Sequence, residues 1–253
     1  MFIISTKSGV PLNSALGNKM ISAIQNLAKT LPLDQHYTWD IPENVPIDIP
    51  HEIVGAFDRN VYLKEHLAQA LEKDKDLESH YWVIRDWGGI KTFQVNERNN
   101  RRIHEFLQQL NHNRLRRSTF NLISSLSKLA AFWQPSEYSI YDSRAIFSLN
   151  WLIFRHSNHR RLFPQPIGRS TAVSMYDTTT LYRLSGLEFS ERDWRTAYHE
   201  YCELLRHLAR EALNTDRPFL VEMLLFVAAP QFIVEDIRTK TTVNIDLNAQ
   251  QQL

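Results

Sequence analysis

The sequence predicts a mainly α-helical protein, and three observations support this prediction. Apolar residues recur with a 3.6-residue period over long segments, only seven of the 253 residues are glycine, and strand-like and helix-like segments do not alternate. The hydrophobic fraction of 43% is enough for a substantial core. The periodic segments predict helices at 13–31, 58–72, 99–111, 117–133, 143–156, 191–213 and 217–228.

The segments between these helices predict the connections. Prolines are concentrated in residues 32–54, which indicates an irregular stretch. Residues 81–90 are aromatic and β-branched and end in paired glycines, which predicts a short strand or tight turn. Residues 157–190 predict a longer connection. These boundaries divide the chain into an N-terminal helical extension (1–79), a helical core (80–235) and a strand-forming or frayed tail (236–253).

Composition excludes several classes of protein. The 29 basic and 28 acidic residues leave a net charge of only +1, so overall charge does not indicate nucleic acid. A single cysteine, Cys202, excludes an internal disulfide and a cysteine-rich zinc site. No P-loop or GxGxxG motif occurs, and no uncharged stretch approaches the roughly 20 residues of a membrane span. We therefore expect a cytoplasmic protein with no membrane association, no metal and no small-molecule cofactor.

The predicted helix at 117–133 has two dissimilar faces. Its apolar face carries Leu122, Leu126, Leu129 and Trp133. Its other face is short-chained and polar apart from one amine, and it carries Asn121, Ser124, Ser125 and Lys128. Such a face either lines a groove or is exposed to solvent, in which case Lys128 is a surface lysine among small polar residues.

Asp142 lies fourteen residues after Lys128, directly before the next predicted helix. Aspartate is a preferred N-cap residue, because its carboxylate accepts hydrogen bonds from the first backbone N–H groups of a helix. Capping alone would explain Asp142, yet the same N–H groups would keep the carboxylate ionised for chemistry. Because Pro135 ends the lysine helix, the chain turns back quickly, and the two side chains are predicted to share a cleft. Apolar walls from Trp133, Tyr138 or Tyr141 would then lower the pKa of the lysine and favour its nucleophilic form.

This arrangement resembles the core of the helix–hairpin–helix DNA glycosylase superfamily, in particular bacterial proteins similar to 8-oxoguanine DNA glycosylase. The resemblance spans roughly residues 80–230 and is carried by Ser127-Lys128, Pro135, Ile140-Tyr141-Asp142-Ser143-Arg144, Trp82–Gly89 and Tyr198-x-x-Tyr201…Glu222-Met223-x-Leu225-Phe226. It implies a helical bundle in which Lys128 attacks the sugar C1′ and Asp142 stabilises the developing positive charge. It also implies that a base is flipped into the site.

Three features depart from the family pattern. The glycine-rich hairpin that normally precedes the lysine is replaced by Arg116-Arg117-Ser118-Thr119-Phe120-Asn121, the spacing from lysine to aspartate is shorter, and there is no cysteine tetrad for an iron–sulfur cluster. If Lys128 does not correspond to the catalytic lysine, Asp142 alone would carry the chemistry, as in monofunctional members.

Candidate contacts to DNA surround these two residues. Arg144 lies in the first turn of a helix, where the dipole disfavours a cation, so a phosphate, base or acidic partner is expected. The Trp87-Gly88-Gly89 stretch predicts a base-stacking or backbone-contacting loop, although a core tryptophan is the alternative. The predicted substrate and DNA contacts are Ser127, Arg144, Trp87, Gly88, Tyr141, Arg116 and Arg117.

The leading hypothesis is therefore a DNA glycosylase that excises a damaged or modified base and leaves an abasic site. The resemblance extends to defence-associated enzymes, which makes modified phage DNA a candidate substrate. The alternative is a catalytically inactive helical module that binds DNA or acts as an adaptor. A nuclease ranks lower, because the sequence has no well-placed Asp…Glu-x-Lys metal constellation.

Overall fold

The computed structural model describes residues 14–168 and 170–242, and within them the protein is mainly helical, as predicted. The predicted tail beyond residue 242 and residue 13 of the first helix lie outside the described residues. The α-helices are α1 (Ser14–Thr30), α2 (Leu33–His36), α3 (Ala56–His66), α4 (Ala68–Lys73), α5 (Glu78–Tyr81), α6 (Glu97–Leu110), α7 (Arg117–Phe120), α8 (Ile123–Trp133), α9 (Ser143–His156), α10 (Thr171–Ser174), α11 (Thr178–Leu184), α12 (Trp194–Leu213), α13 (Pro218–Ala228) and α14 (Val234–Lys240).

The long connection at 157–190 contains short elements that the sequence did not predict. Besides α10 and α11, two-residue strands β1 (Arg161–Leu162) and β2 (Ser190–Glu191) pair in parallel, with Arg161 opposite Ser190 and Leu162 opposite Glu191. This pairing joins the two ends of the connection.

The strand or tight turn predicted at 81–90 is wrong. Trp82–Trp87 forms a π-helix that continues directly from α5, and Trp82, Val83, Ile84 and Trp87 are buried. Aromatic and β-branched residues favour strands where they can pack within a sheet. Within the described residues no sheet is available to this segment, and its residues pack against the helices α5 and α8. Single π-helical turns inside helices are frequent at functional sites.

The strand-forming or frayed tail predicted from residue 236 is also wrong for the residues that are described. Residues up to Lys240 belong to α14, which follows a second π-helical turn at Ala229–Ile233. Helix α14 is held to α9 because Asp236 accepts hydrogen bonds from Trp151 and Arg155. The helical run Pro218–Lys240 is long and apolar enough to span a membrane by length and composition, but 56% of its apolar window is buried inside the protein, as in a core helix.

Helix α13 lies at the centre of the fold, against α9 and α12. The hydroxyl of Ser148 on α9 donates a buried hydrogen bond of 2.7 Å to the carbonyl of Leu225 on α13. That contact joins the two helices at a point where the α13 backbone comes close to α9. Burial of apolar residues from both helices provides the main stabilisation of this centre.

The N-terminal helices share this core. Met20, Ile24 and Leu27 of α1 and Leu63 of α3 belong to the same buried cluster as the residues of α8, α9 and α12. The predicted extension therefore contributes directly to the packing of the core. The domain boundary at residue 79 stays a prediction.

Candidate functional site

A cavity of about 1030 Å³ opens where the proline-rich connection (32–54), the π-helix Trp82–Trp87 and helices α8, α9 and α13 meet. Its volume is just above the range of about 300–1,000 Å³ for small-molecule sites. The cavity combines aromatic walls with cationic, anionic and small polar side chains. Its aromatic residues are Tyr37, Trp39, Trp87, Phe120, Trp194 and Phe226, and its charged residues are Arg117, Lys128, Asp142, Arg144, Glu191 and Glu222.

The structure brings Lys128 and Asp142 to this one cavity. Lys128 is only 6% exposed on α8, and its amine donates a hydrogen bond to the carbonyl of Ser124 one turn earlier. It is therefore a cavity-lining residue rather than a solvated surface lysine. Its short-chained companions on the same helix face, Ser124 and Ser125, line the cavity too.

Asp142 caps α9, as its position in the sequence predicts. Its Oδ1 accepts a hydrogen bond of 2.8 Å from the backbone N–H of Arg144, and the side chain is half-buried at the cavity wall. The capping role is confirmed by this geometry. A role in chemistry stays a prediction, and the two roles are compatible because the cap leaves a second carboxylate oxygen.

Gly88 matters for its missing side chain rather than for its backbone conformation. Its φ of −77° is open to any residue, but an added Cβ would lie 2.6 Å from Cδ and 2.8 Å from Cε of Lys128. It would also lie 2.6 Å from the carbonyl oxygen of Ile84. The glycine therefore makes room for the stem of Lys128 as the stem passes into the cavity.

We expect Gly88→Ala to lower the free energy of unfolding by about 1–3 kcal/mol, because the added methyl overpacks this contact. Urea denaturation measures the change. Gly17→Ala is the matched control, since no atom lies within 4 Å of its added Cβ, and it is expected to stabilise α1 by about 0.5–1 kcal/mol. Part of the Gly88→Ala loss should disappear in a Lys128→Ala background. An equal loss in both backgrounds would show that the lysine stem is not the crowded neighbour.

The two candidate arginines that reach the cavity both lie over aromatic rings. The guanidinium carbon of Arg144 is 4.7 Å from the ring centre of Phe226, and that of Arg117 is 5.2 Å from the ring centre of Trp194. A guanidinium over a ring is stabilised by the ring quadrupole and keeps its N–H donors available at the edge. Both residues are thus held at the cavity with part of their donor set directed away from the ring.

Trp87 lines the cavity, although it is also a packed core residue. It is 4% exposed, its Nε1 donates to Asn60 Oδ1 at 2.8 Å, and its ring meets Phe132 edge-on with centroids 4.7 Å apart. The alternative interpretation, a core tryptophan, is therefore confirmed, and a stacking contact with a base stays a prediction. Trp87 forms the wall, and Gly88 contacts the lysine.

Three predicted contact residues do not line the cavity. Ser127 is fully buried, and its hydroxyl accepts a hydrogen bond of 3.0 Å from the backbone N–H of Tyr141. Tyr141 is also fully buried and donates from its hydroxyl to the carbonyl of Pro164 at 2.8 Å. Arg116 is exposed outside the cavity lining. The hydrogen bond between Ser127 and Tyr141 thus ties α8 to the segment before α9 and so helps to place Lys128 and Asp142.

Apart from Trp87, the aromatic walls come from residues that the sequence did not predict as such. Trp133, Tyr138 and Tyr141 do not line the cavity. Trp39 does, and it comes from the proline-rich connection, where its Nε1 donates to the carbonyl of Trp87 at 3.0 Å. Its ring also meets that of Phe226 edge-on, with centroids 5.7 Å apart. The segment that reads as irregular therefore supplies a wall of the site.

Sequence reasoning missed the carboxyl group of Glu222 as a site residue. Glu222 is 4% exposed on α13, lines the cavity, and its Oε2 lies 3.4 Å from the amine of Lys64, which is fully buried on α3. Burial raises the pKa of Glu222 and lowers the pKa of Lys64, and each partner opposes the shift of the other. The available signal was a single glutamate inside the apolar run from Phe219 to Ala229.

Comparisons with protein-family models, curated proteins and solved structures find no match for this chain. The geometry therefore defines the class of site by itself: an aromatic-walled cavity with a buried amine, three carboxyl groups and two arginines.

Proposed function

We propose that the protein is a DNA glycosylase of the helix–hairpin–helix type that excises a damaged or modified base flipped into this cavity. The observation that carries the proposal is that Lys128 and Asp142, on successive long helices, line one aromatic-walled cavity. A buried amine supplies a nucleophile, and a carboxylate in the same cavity stabilises a sugar cation.

In the proposed reaction, the Lys128 amine attacks C1′ of the flipped nucleotide. The bond from C1′ to the base nitrogen breaks, and its electron pair leaves with the base. Asp142 stabilises positive charge on the sugar while this bond breaks, in the way that carboxylates act in glycoside hydrolysis. If water attacks instead of the lysine, Asp142 keeps the same role and the enzyme is monofunctional.

The aromatic walls support the flipped-base part of the proposal. Flipped bases are held by stacking between aromatic or apolar side chains, and Trp39, Trp87 and Phe226 meet at one part of this cavity. Arg117 and Arg144 would contact the flanking phosphates, which position DNA without reading its sequence. In this proposal the two arginines replace the glycine-rich hairpin of the family as the groups that contact DNA phosphates.

The test is incubation of the protein with duplexes that carry damaged or modified bases, followed by cleavage of abasic sites and by borohydride trapping. Base release supports the proposal, and abasic sites without trapping identify a monofunctional enzyme. DNA binding with neither product identifies the inactive DNA-binding module. No base release from any duplex of the panel and no DNA binding would exclude both.

Asp142→Asn separates capping from chemistry. Asparagine is as good an N-cap as aspartate, so stability is expected to stay within about 0.5 kcal/mol, whereas base release falls by about 100-fold or more because the charge is lost. Asp193→Asn is the matched control, because Asp193 caps α12 with the same hydrogen bond, 2.9 Å long, to the N–H of Arg195. Equal activity of the two variants would remove Asp142 from the mechanism.

A further inference from the structure

Two amines and two carboxyl groups lie in the cavity lining or pair with it. Lys128, Asp142 and Glu222 line it, whereas Lys64 is fully buried and pairs with Glu222. Glu222 relates the two lysines, because its Oε2 lies 3.4 Å from the Lys64 amine and its side chain lines the same cavity as Lys128. In agreement with this geometry, the charges of both lysines lower the pKa of Glu222.

The surroundings of Lys64 are unusual for a group that contributes only to stability. Its amine lies 4.9 Å from the ring centre of Phe132, 5.5 Å from that of Trp87 and 5.8 Å from that of Phe219. Removing two charges from water is costly, and apolar residues of similar volume usually stabilise a core as well or better. Because the pair reaches the cavity wall through Glu222, its effect on the neighbouring groups is the more direct explanation.

We infer that Lys64 serves as the counter-ion of Glu222 and so prevents that carboxylate from holding Lys128 in its charged form, which makes Lys64 and Glu222 positioning residues for a nucleophilic amine. A carboxylate next to a lysine favours the ammonium form, which is not nucleophilic. A second cation on the same carboxylate cancels much of that effect at Lys128.

The other ionisable groups in or near the cavity do not replace this control. Burial, followed by the charge of Glu222, raises the pKa of Tyr37 and Tyr201 well above the usual tyrosine range, so both are neutral phenols at neutral pH. Asp142 and Arg144 are oppositely charged residues at the start of α9. Arg117 and Glu191, one basic and one acidic, are the remaining charged residues that line the cavity. Replacement of Lys64 or Glu222 changes the charge at the wall of the cavity that Glu222 and Lys128 share, without touching the N-cap of α9.

The experiment measures the reactivity of Lys128 and needs no DNA. The protein is methylated with formaldehyde and cyanoborohydride over a range of pH, and the modified Lys128 peptide is quantified by mass spectrometry. The exposed Lys75 in the same sample is the reference for the reagent. Lys64→Met should raise the pH midpoint of Lys128 methylation by about one unit, because the unbalanced carboxylate then favours the ammonium form.

Two further variants complete the comparison. Glu222→Gln should lower the midpoint, because the charge of Lys64 then acts on Lys128 without its counter-ion, and the double variant should return close to the native value. Equal midpoints in all four proteins, or shifts of the two single variants in the same direction, would overturn the inference. If Lys64→Met does not fold, Glu222→Gln and the double variant still decide, since an unchanged midpoint in Glu222→Gln is also contradictory.

The importance of this control for catalysis rests on the proposed function, but its test does not. If the protein releases no base but the two single variants shift the pH midpoint of Lys128 methylation in opposite directions, the inference about Lys64 and Glu222 stands and the glycosylase proposal fails. If the protein releases base but neither single variant shifts the midpoint of Lys128 methylation, the glycosylase proposal stands and the inference about Lys64 and Glu222 fails.

Discussion

Lys128→Ala is expected to abolish borohydride-trapped complexes with a DNA substrate. The covalent intermediate needs the amine as its nucleophile, and trapping should fall by at least about 1,000-fold, as expected when a covalent nucleophile is removed. Gel electrophoresis of the trapped complex, with mass spectrometry of the linked peptide, measures the effect. The linked peptide of the native protein should contain Lys128.

Two controls make this result specific. Lys128→Met retains most of the aliphatic stem that packs on Gly88, so it removes the amine with less disturbance of packing and should fail in the same way. Lys91→Ala removes an exposed lysine whose side chain is 68% accessible and should trap normally. Trapping by Lys128→Met at the native rate would assign the covalent chemistry to another amine. Base release that survives without trapping would leave Asp142 as the catalytic group.

Lys64→Met is expected to destabilise the protein by about 3–5 kcal/mol, because it leaves the Glu222 carboxylate buried without its counter-ion. Equilibrium unfolding in urea measures the loss. Replacing both partners, as in Lys64→Met with Glu222→Met, should recover most of it, because no buried charge remains. The exposed pair Arg238 and Glu235 on α14 is the matched surface control, with side chains 64% and 61% accessible, and breaking it should cost less than about 1 kcal/mol.

The loss in Lys64→Met should also depend on pH. Burial raises the pKa of Glu222 in the folded state, and removal of Lys64 removes the largest opposing effect. A carboxyl group whose pKa is raised in the folded state does not destabilise the fold at pH values below its unfolded pKa of about 4.3. It destabilises the fold increasingly as the pH rises above that value. The difference in free energy of unfolding between Lys64→Met and the native protein should therefore be smaller at pH 5 than at pH 8. An equal difference at both values would mean that the lost contact, rather than the unpaired charge, destabilises the variant.

Local patterns in the sequence were sufficient for the long helices and for one cap. The 3.6-residue periodicity predicts α1, α6, α9, α12 and α13 to within a few residues, because each buries one apolar face or is buried all round. Asp142 was predicted as an N-cap because the cap hydrogen bond is made to its own helix. Interactions of this range depend on neighbours in the chain, which the sequence displays.

The site was predictable only in part, because its walls come from segments far apart in the chain. Lys128 and Asp142 are separated by a short return, so their shared cleft followed from the sequence. Trp39 and Glu222 reach the cavity only through tertiary packing, and Ser127 and Tyr141 bond to the backbone where ligand contacts were predicted. No local pattern distinguishes these outcomes.

By itself, the amino-acid sequence determined that the protein is mainly helical, and it determined where an amine and a capping carboxylate lie along successive helices. Only the tertiary structure decided that Trp82–Trp87 is a π-helix, that the proline-rich connection contributes Trp39, and that Lys64 meets Glu222 across 158 positions of the chain. The physical reason is the range of the interactions. Periodicity and capping act within one helix, whereas burial and charge pairing depend on which distant surfaces the folded chain brings into contact.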